Sequence, residues 1–136
     1  AAASLEAEYT LPGVTQTLII TRQAGRTPVP EEEKISSLAK HNATMAIFLS
    51  ASLTEEVQSE LLEGYAPETP VALVYKATWP DERIVYTRVD ELAETAKREN
   101  ITKTALILVG DFLQDTYNKS LLYDPSFTTE FREAVK

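Results

Sequence analysis

Five short apolar runs, separated by stretches of helical periodicity, set the pattern of this chain. The first, Thr17-Leu18-Ile19-Ile20, is rich in β-branched residues and predicts a strand over residues 15–22. The loop Thr27-Pro28-Val29-Pro30 follows and leads into a helix. Pro30 suits a first helical turn, where its missing amide is not needed, and Glu31, Glu32 and Glu33 suit the positive end of the helix dipole. Ile35, Leu38 and Ala39 then share one face. Residues 43–49 are almost wholly apolar and predict a second strand. Ser52 and Glu55 have the spacing of a capping box ahead of a helix striped by Leu53, Val57 and Leu61. Gly64 reads as its stop, in the left-handed conformation that glycine tolerates.

Strands over 71–76 and 83–89 flank the turn Trp79-Pro80-Asp81-Glu82, a connection short enough to predict an antiparallel hairpin. Asp90 reads as the cap of a helix carrying Leu92, Ala93 and Ala96. The run 105–109 is unusually apolar, which predicts a central strand buried on both faces and ended by Gly110. A last short helix is predicted over 127–135, after a Tyr123-Asp124-Pro125 turn, and the first six residues read as the end of a helix. Strands alternating with helices, plus one hairpin, give an α/β class: a mixed five-stranded sheet flanked by helices. Residues 1–10 are expected to be the end of an interdomain helix or linker, and 11–136 a single α/β domain.

Composition narrows the function classes. At 136 residues, 43% apolar and 25% charged, the chain has the makings of one globular domain. There is no apolar run of about 18 residues and no signal pattern in the first residues, so the expected location is the cytoplasm. The absence of cysteine removes disulfides, thiolate metal sites and a cysteine nucleophile. A formal net charge of −8 opposes nucleic-acid and anionic-membrane partners. It also requires that any anionic substrate meet a local positive patch. His41 is the only histidine and stands at a predicted helix end, so neither a nucleophilic triad nor a His-based metal site can be assembled. The Glu31–Glu33 run reads as a solvated helix start.

Several segments are more particular than burial demands. They are LPGVTQTLIITRQAGRTPVP at 11–30, ATMAIFLS at 43–50, VALVYKATWPDE at 71–82, TALILVGDFL at 104–113 and LYDPSFTTEFR at 122–132. Together they resemble the second domain of the tetrapyrrole (corrin/porphyrin) methyltransferases of cobalamin synthesis. GRTPVP and YKATWP resemble the branch that acts at carbon 11 of precorrin-4. The resemblance implies methyl transfer from S-adenosylmethionine to precorrin-4 or its cobalt-containing counterpart, and a homodimer. In this family the donor lies folded between two domains, and the loops of the N-terminal donor-loop domain have no counterpart here. The lone domain is therefore expected to fold, yet to bind donor poorly and to be inactive.

For the donor, the resemblance points to Leu49 near the end of one strand, to Ala72 and Ala77 as small residues that admit a flat ring, and to the backbone of Thr104, Ala105 and Leu106 as the edge that reads it. For the tetrapyrrole it points to Gln16, Arg22, Arg26, Lys76 and Trp79, with Arg22 first, since guanidinium forks suit carboxylates and an indole can cover a macrocycle. No catalytic acid, base or metal is implied. The sulfonium is already electrophilic, so the protein's task is alignment and exclusion of water. Two alternatives stand beside this reading: a methylase for a different ring carbon, or a ligand-binding or interaction domain that transfers nothing.

Overall fold

The computed structural model describes residues 1–114; the predicted turn at Tyr123-Asp124-Pro125 and helix over 127–135 lie outside them. Five strands form: β1 (Leu18–Arg22), β2 (Thr44–Phe48), β3 (Pro70–Tyr75), β4 (Arg83–Arg88) and β5 (Ala105–Val109). The helices between them are α1 (Ile35–Leu38), α2 (Thr54–Leu61) and α3 (Leu92–Arg98). The strand order is β1-β2-β5-β3-β4. Only β1 and β2 run parallel; β5 pairs antiparallel with both neighbours, and β3 with β4 forms the hairpin foreseen from the short turn.

The mixed sheet and the central place of β5 follow from its apolar content. Ile107 and Val109 join Met45, Ile47, Val71 and Leu73 on the face covered by Ile35 of α1, Val57 and Leu61 of α2, and Leu92 and Ala96 of α3. Leu108 points the other way, against Ala46, Ala72, Val74, Leu11 and Phe112. Two-sided burial explains why these strands read as continuous apolar runs rather than alternating ones. Among the described residues all three helices lie on one face. The N-terminal segment crosses the other, anchored by the Thr44 hydroxyl, which donates to the Tyr9 carbonyl at 2.5 Å, and by the edge-on Tyr9–Phe112 ring pair.

Several local expectations are corrected. β1 starts at Leu18 rather than residue 15, because Leu11 and Thr15 bridge each other across a tight loop that Gly13 closes at φ 74°. The first residues form a turn, not a helix, and Glu6 at φ 52° ends it. Ser52 does not cap α2: the cap position is Leu53, with no side-chain bond. Asp90 sits inside the turn Val89–Glu91 and its carboxylate pairs with Arg88 at 2.5 Å instead of capping α3. α2 stops at Leu61 with Leu62 in the cap position, and Gly64 lies in the turn that follows, its amide on the Leu61 carbonyl. What requires glycine there is closeness, not a left-handed backbone: a Cβ would fall onto the Ala39 carbonyl and lie 2.5 Å from the Lys40 amide nitrogen.

Tyr65 follows at once, 3% exposed, with its hydroxyl donating to the Ala43 carbonyl. Burial, aided by the negative charge of Asp111, raises its phenol above the ordinary value of 10.0. A raised phenol pKa favours the folded state while both states are protonated, and that contribution is lost as pH climbs past the unfolded value. Spectrophotometric titration is expected to show Tyr65 still neutral where exposed tyrosines have ionised. Tyr65→Phe should remove that part of the alkaline loss of stability.

Candidate functional site

Because β5 is antiparallel to β2 and β3, the last residues of β2 and β3 meet the first residues of β5 at one edge of the sheet. There the backbone leaves its ordinary range. Leu49 (φ 53°), Lys76 (φ 47°), Thr78 (φ 70°) and Thr104 (φ 57°) are all left-handed, and none is glycine or asparagine. Such a conformation costs roughly 1 kcal/mol or more for a residue with a Cβ and concentrates at functional sites. The Lys76 amide donates to the Thr104 carbonyl at 2.8 Å, binding two of these strained positions together.

The edge encloses an apolar cleft of about 400 Å³. Val74, Ala77, Ala105 and Leu106 belong to its lining, together with three large apolar residues left open to solvent: Phe48 (41%), Trp79 (57%) and Leu49 (87%). Scattered exposed apolar residues are ordinary, but three around one concavity mark a surface made to be covered. The turn that carries Trp79 is stiff. The Lys76 carbonyl accepts from the Trp79 amide at 3.0 Å, and the Glu82 carboxylate accepts from the Thr78 amide at 2.8 Å. The Lys76 ammonium lies over the Tyr75 and Trp79 rings, at 5.2 and 5.5 Å from their centroids, and pairs with Asp81 at 2.5 Å. Its hydrogen bond to Asp81 raises its pKa, so it stays a cation and offers no base.

A second cleft of about 470 Å³ adjoins the first across Leu49 and Ser52 and is lined also by Arg22, Gly25, Arg26 and Leu53. Arg22 faces its own loop. Nη1 donates to the carbonyls of Gln23 (3.3 Å) and Thr27 (3.1 Å), and Nη2 to that of Pro28 (3.0 Å). Arg26 is exposed and makes no ion pair or side-chain hydrogen bond among the described residues. Behind the loop, Gln23 is 6% exposed. Its amide donates to Ser50 Oγ at 2.8 Å, and Ser50 Oγ donates to the Phe48 carbonyl at 2.6 Å. Its side chain donates to Glu60 at 2.6 Å, and the other Glu60 oxygen accepts from the Ser36 amide at 2.9 Å.

The structure thus brings Leu49, Ala77, Thr104, Ala105 and Leu106 into one cleft, together with Lys76 and Trp79, which the resemblance had assigned to the other ligand. Arg22 and Arg26 share the neighbouring cleft. Two residues stand apart. Ala72 is 0% exposed, closed beneath the sheet against Val74 and Leu108, because it lies inside β3 rather than at its end. Gln16 precedes β1, at the opposite end of the strand from both clefts, its side chain on the Thr15 carbonyl. Phe48, Thr102 and Lys103 line the first cleft without having been singled out, and Ser52, read in sequence as a helix cap, lines it too. Only Phe48, an aromatic closing a strand, left a signal in sequence. Among the described residues no group of three His, Cys, Asp or Glu side chains could hold a metal, and no helix is long and apolar enough to cross a membrane.

Fold and site together define a mixed α/β domain with a preformed apolar cleft at its strand ends and a basic cleft beside it. Residues 1–93 match the family model of the Tetrapyrrole (Corrin/Porphyrin) Methylases, and the chain belongs to that family. A cobalt-precorrin-4 C(11)-methyltransferase from Methanocaldococcus jannaschii is 54% identical over 100% of this chain and 53% of its own length. A precorrin-4 C(11)-methyltransferase from Sinorhizobium sp. is 40% identical over 97% of this chain and 53% of its own length. The chain spans about half the length of the curated relatives it matches. Among solved structures, a cobalt precorrin-4 methyltransferase superposes with a TM-score of 0.81 at 53% identity, covering 83% of this chain and 48% of that one. A uroporphyrin-III C-methyl transferase from Thermus thermophilus, complexed with S-adenyl homocysteine, shares the fold at a TM-score of 0.68 and 22% identity, covering 85% of this chain and 50% of that one.

Proposed function

We propose that this chain forms one wall of the active cleft of an S-adenosylmethionine-dependent methyltransferase acting at carbon 11 of cobalt-precorrin-4. The observation that carries the reading is the convergence of Leu49, Ala77, Thr104, Ala105 and Leu106 on a single apolar cleft. A flat ring enters between Leu49 and the start of β5, where backbone groups can read its polar edge. The cobalt form of the substrate is favoured by the higher identity to relatives so named, 54% and 51% against 40%. The opposite wall, in this reading, comes from the part of the relatives outside the matched length. Methyl transfer asks for alignment and exclusion of water rather than an acid or base, which suits a cleft without a free base. A cytoplasmic homodimer belongs to the same proposal.

The test is a chimera in which this chain replaces the matching part of the M. jannaschii relative. With S-adenosylmethionine and cobalt-precorrin-4 it is expected to add one methyl group, read by mass spectrometry; a folded chimera that yields no methylated product overturns the proposal. Trp79 is the only tryptophan, so its fluorescence should report S-adenosylhomocysteine entering the cleft. Trp79→Ala, with binding read by calorimetry because the fluorophore is gone, should weaken it by about tenfold, the scale of one lost ring-stacking contact.

A further inference from the structure

We infer that Arg22 is a positioning residue rather than a carboxylate ligand, and that recognition of the substrate's anionic arms in the second cleft falls to Arg26. The inference rests on the proposed function for what the clefts hold, and on geometry for the division of labour. A guanidinium presents its donors in a planar fork. In Arg22 both terminal nitrogens are already directed at backbone carbonyls, those of Gln23, Thr27 and Pro28. To take a carboxylate end-on, through both terminal nitrogens, it would have to release the loop 23–28; what it has left over is Nε–H and one hydrogen of Nη2. That loop is not an isolated surface feature. The Gln23 amide is held by Ser50 Oγ, and Ser50 in turn holds the Phe48 carbonyl. Leu49 stands between those two residues, left-handed and 87% exposed, on the divide between the two clefts. Glu60 fixes Gln23 from behind and ties it to the start of α1.

A continuous polar path therefore runs from the Arg22 fork through Gln23 and Ser50 to the turn that presents Leu49. Arg22 governs the adenosine cleft by this route, at a distance from any ligand. Arg26, four residues on, lines the same second cleft, exposed and with its fork unengaged among the described residues. On a chain of net charge −8, a guanidinium without an internal partner is the group to which an incoming carboxylate goes.

Backbone amide exchange followed by NMR on this chain tests the assignment, together with titrations of S-adenosylhomocysteine and of uroporphyrin, as a carboxylate-bearing macrocycle, into the chimera that restores the opposite wall. Arg22→Gln is expected to speed exchange of the Gln23 amide at least tenfold in the free chain. It should weaken S-adenosylhomocysteine about tenfold while changing uroporphyrin affinity less than twofold. Arg22→Lys, whose single ammonium cannot reproduce the fork, should fall between, and it decides the matter if the glutamine variant does not fold. Arg26→Gln should do the reverse, leaving exchange and S-adenosylhomocysteine unchanged, lowering uroporphyrin affinity several-fold and flattening its salt dependence. A wild-type exchange rate in Arg22→Gln, or a loss of uroporphyrin binding equal to that of Arg26→Gln, overturns the assignment. A chimera with the wild-type sequence of this chain that binds neither probe overturns the proposed function and the share given to Arg26, while the exchange rate still decides the clamp.

Discussion

Gly64→Ala is expected to be among the most damaging single-methyl changes available in this chain. The added Cβ would be driven into the Ala39 carbonyl and to 2.5 Å from the Lys40 amide nitrogen. Both are backbone atoms, so no side-chain rotation relieves the contact. The turn Ala39–His41 after α1 and the end of α2 would have to separate, opening the helix-covered core at Ala39 and Leu61, each 0% exposed. Overpacking of this kind costs roughly 1–3 kcal/mol, and more where backbone must move. Urea denaturation should place Gly64→Ala at or beyond the upper end of that range. Gly25→Ala supplies the control, since its Cβ would meet only the Leu53 side chain at 3.4 Å, an ordinary contact. A Gly64→Ala variant as stable as Gly25→Ala would show that the two helix ends do not approach this closely.

Ile107→Ala is expected to cost about 2–5 kcal/mol, the usual span for truncating a core isoleucine. Ile107 sits on the central strand between Ile47 and Leu73, and all three are 0% exposed. Truncation opens a void beneath the helices, bounded on both sides by hydrogen-bonded strands that resist collapse into it. Ile20→Ala removes the same atoms from edge strand β1, where the side chain is 66% exposed, and should change stability by less than about 0.5 kcal/mol. Thermal or urea unfolding of the pair would separate burial from residue type. Equal losses would mean that Ile20 is covered in solution.

The contrast between these two isoleucines also marks how far the sequence could be read. Burial on both faces leaves unbroken apolar runs in β2, β3 and β5, and the half-buried edge strands β1 and β4 keep β-branched residues, so the five strands, the hairpin and the central place of β5 are legible. Features set by distant neighbours were not. Ser52 and Asp90 had the chemistry of helix caps, yet tertiary contacts placed the cap position at Leu53 and turned Asp90 to Arg88. Gly64 reads as a left-handed stop, yet the cap of α2 is Leu62, and what demands glycine is the carbonyl of Ala39, 25 positions earlier, which excludes its Cβ. In the site, residues next to strand ends were legible because strand ends were. Ala72, three residues inside the cleft end of β3, is not separable from Ala77 by type alone. Arg22 shows the deeper limit: residue type announces a fork, and only the fold says what the fork already holds.

The left-handed positions around the apolar cleft carry one more consequence. Leu49, Thr78 and Thr104 occupy backbone conformations in which glycine would be relaxed. Selection for stability alone would therefore drift toward glycine there, shedding the Leu49 side chain from the cleft wall and loosening the entrance to β5. If the cleft serves its ligand as proposed, stability and activity pull these positions in opposite directions. A population of variants screened only for thermal resistance would then be expected to accumulate well-folded proteins with an eroded binding wall.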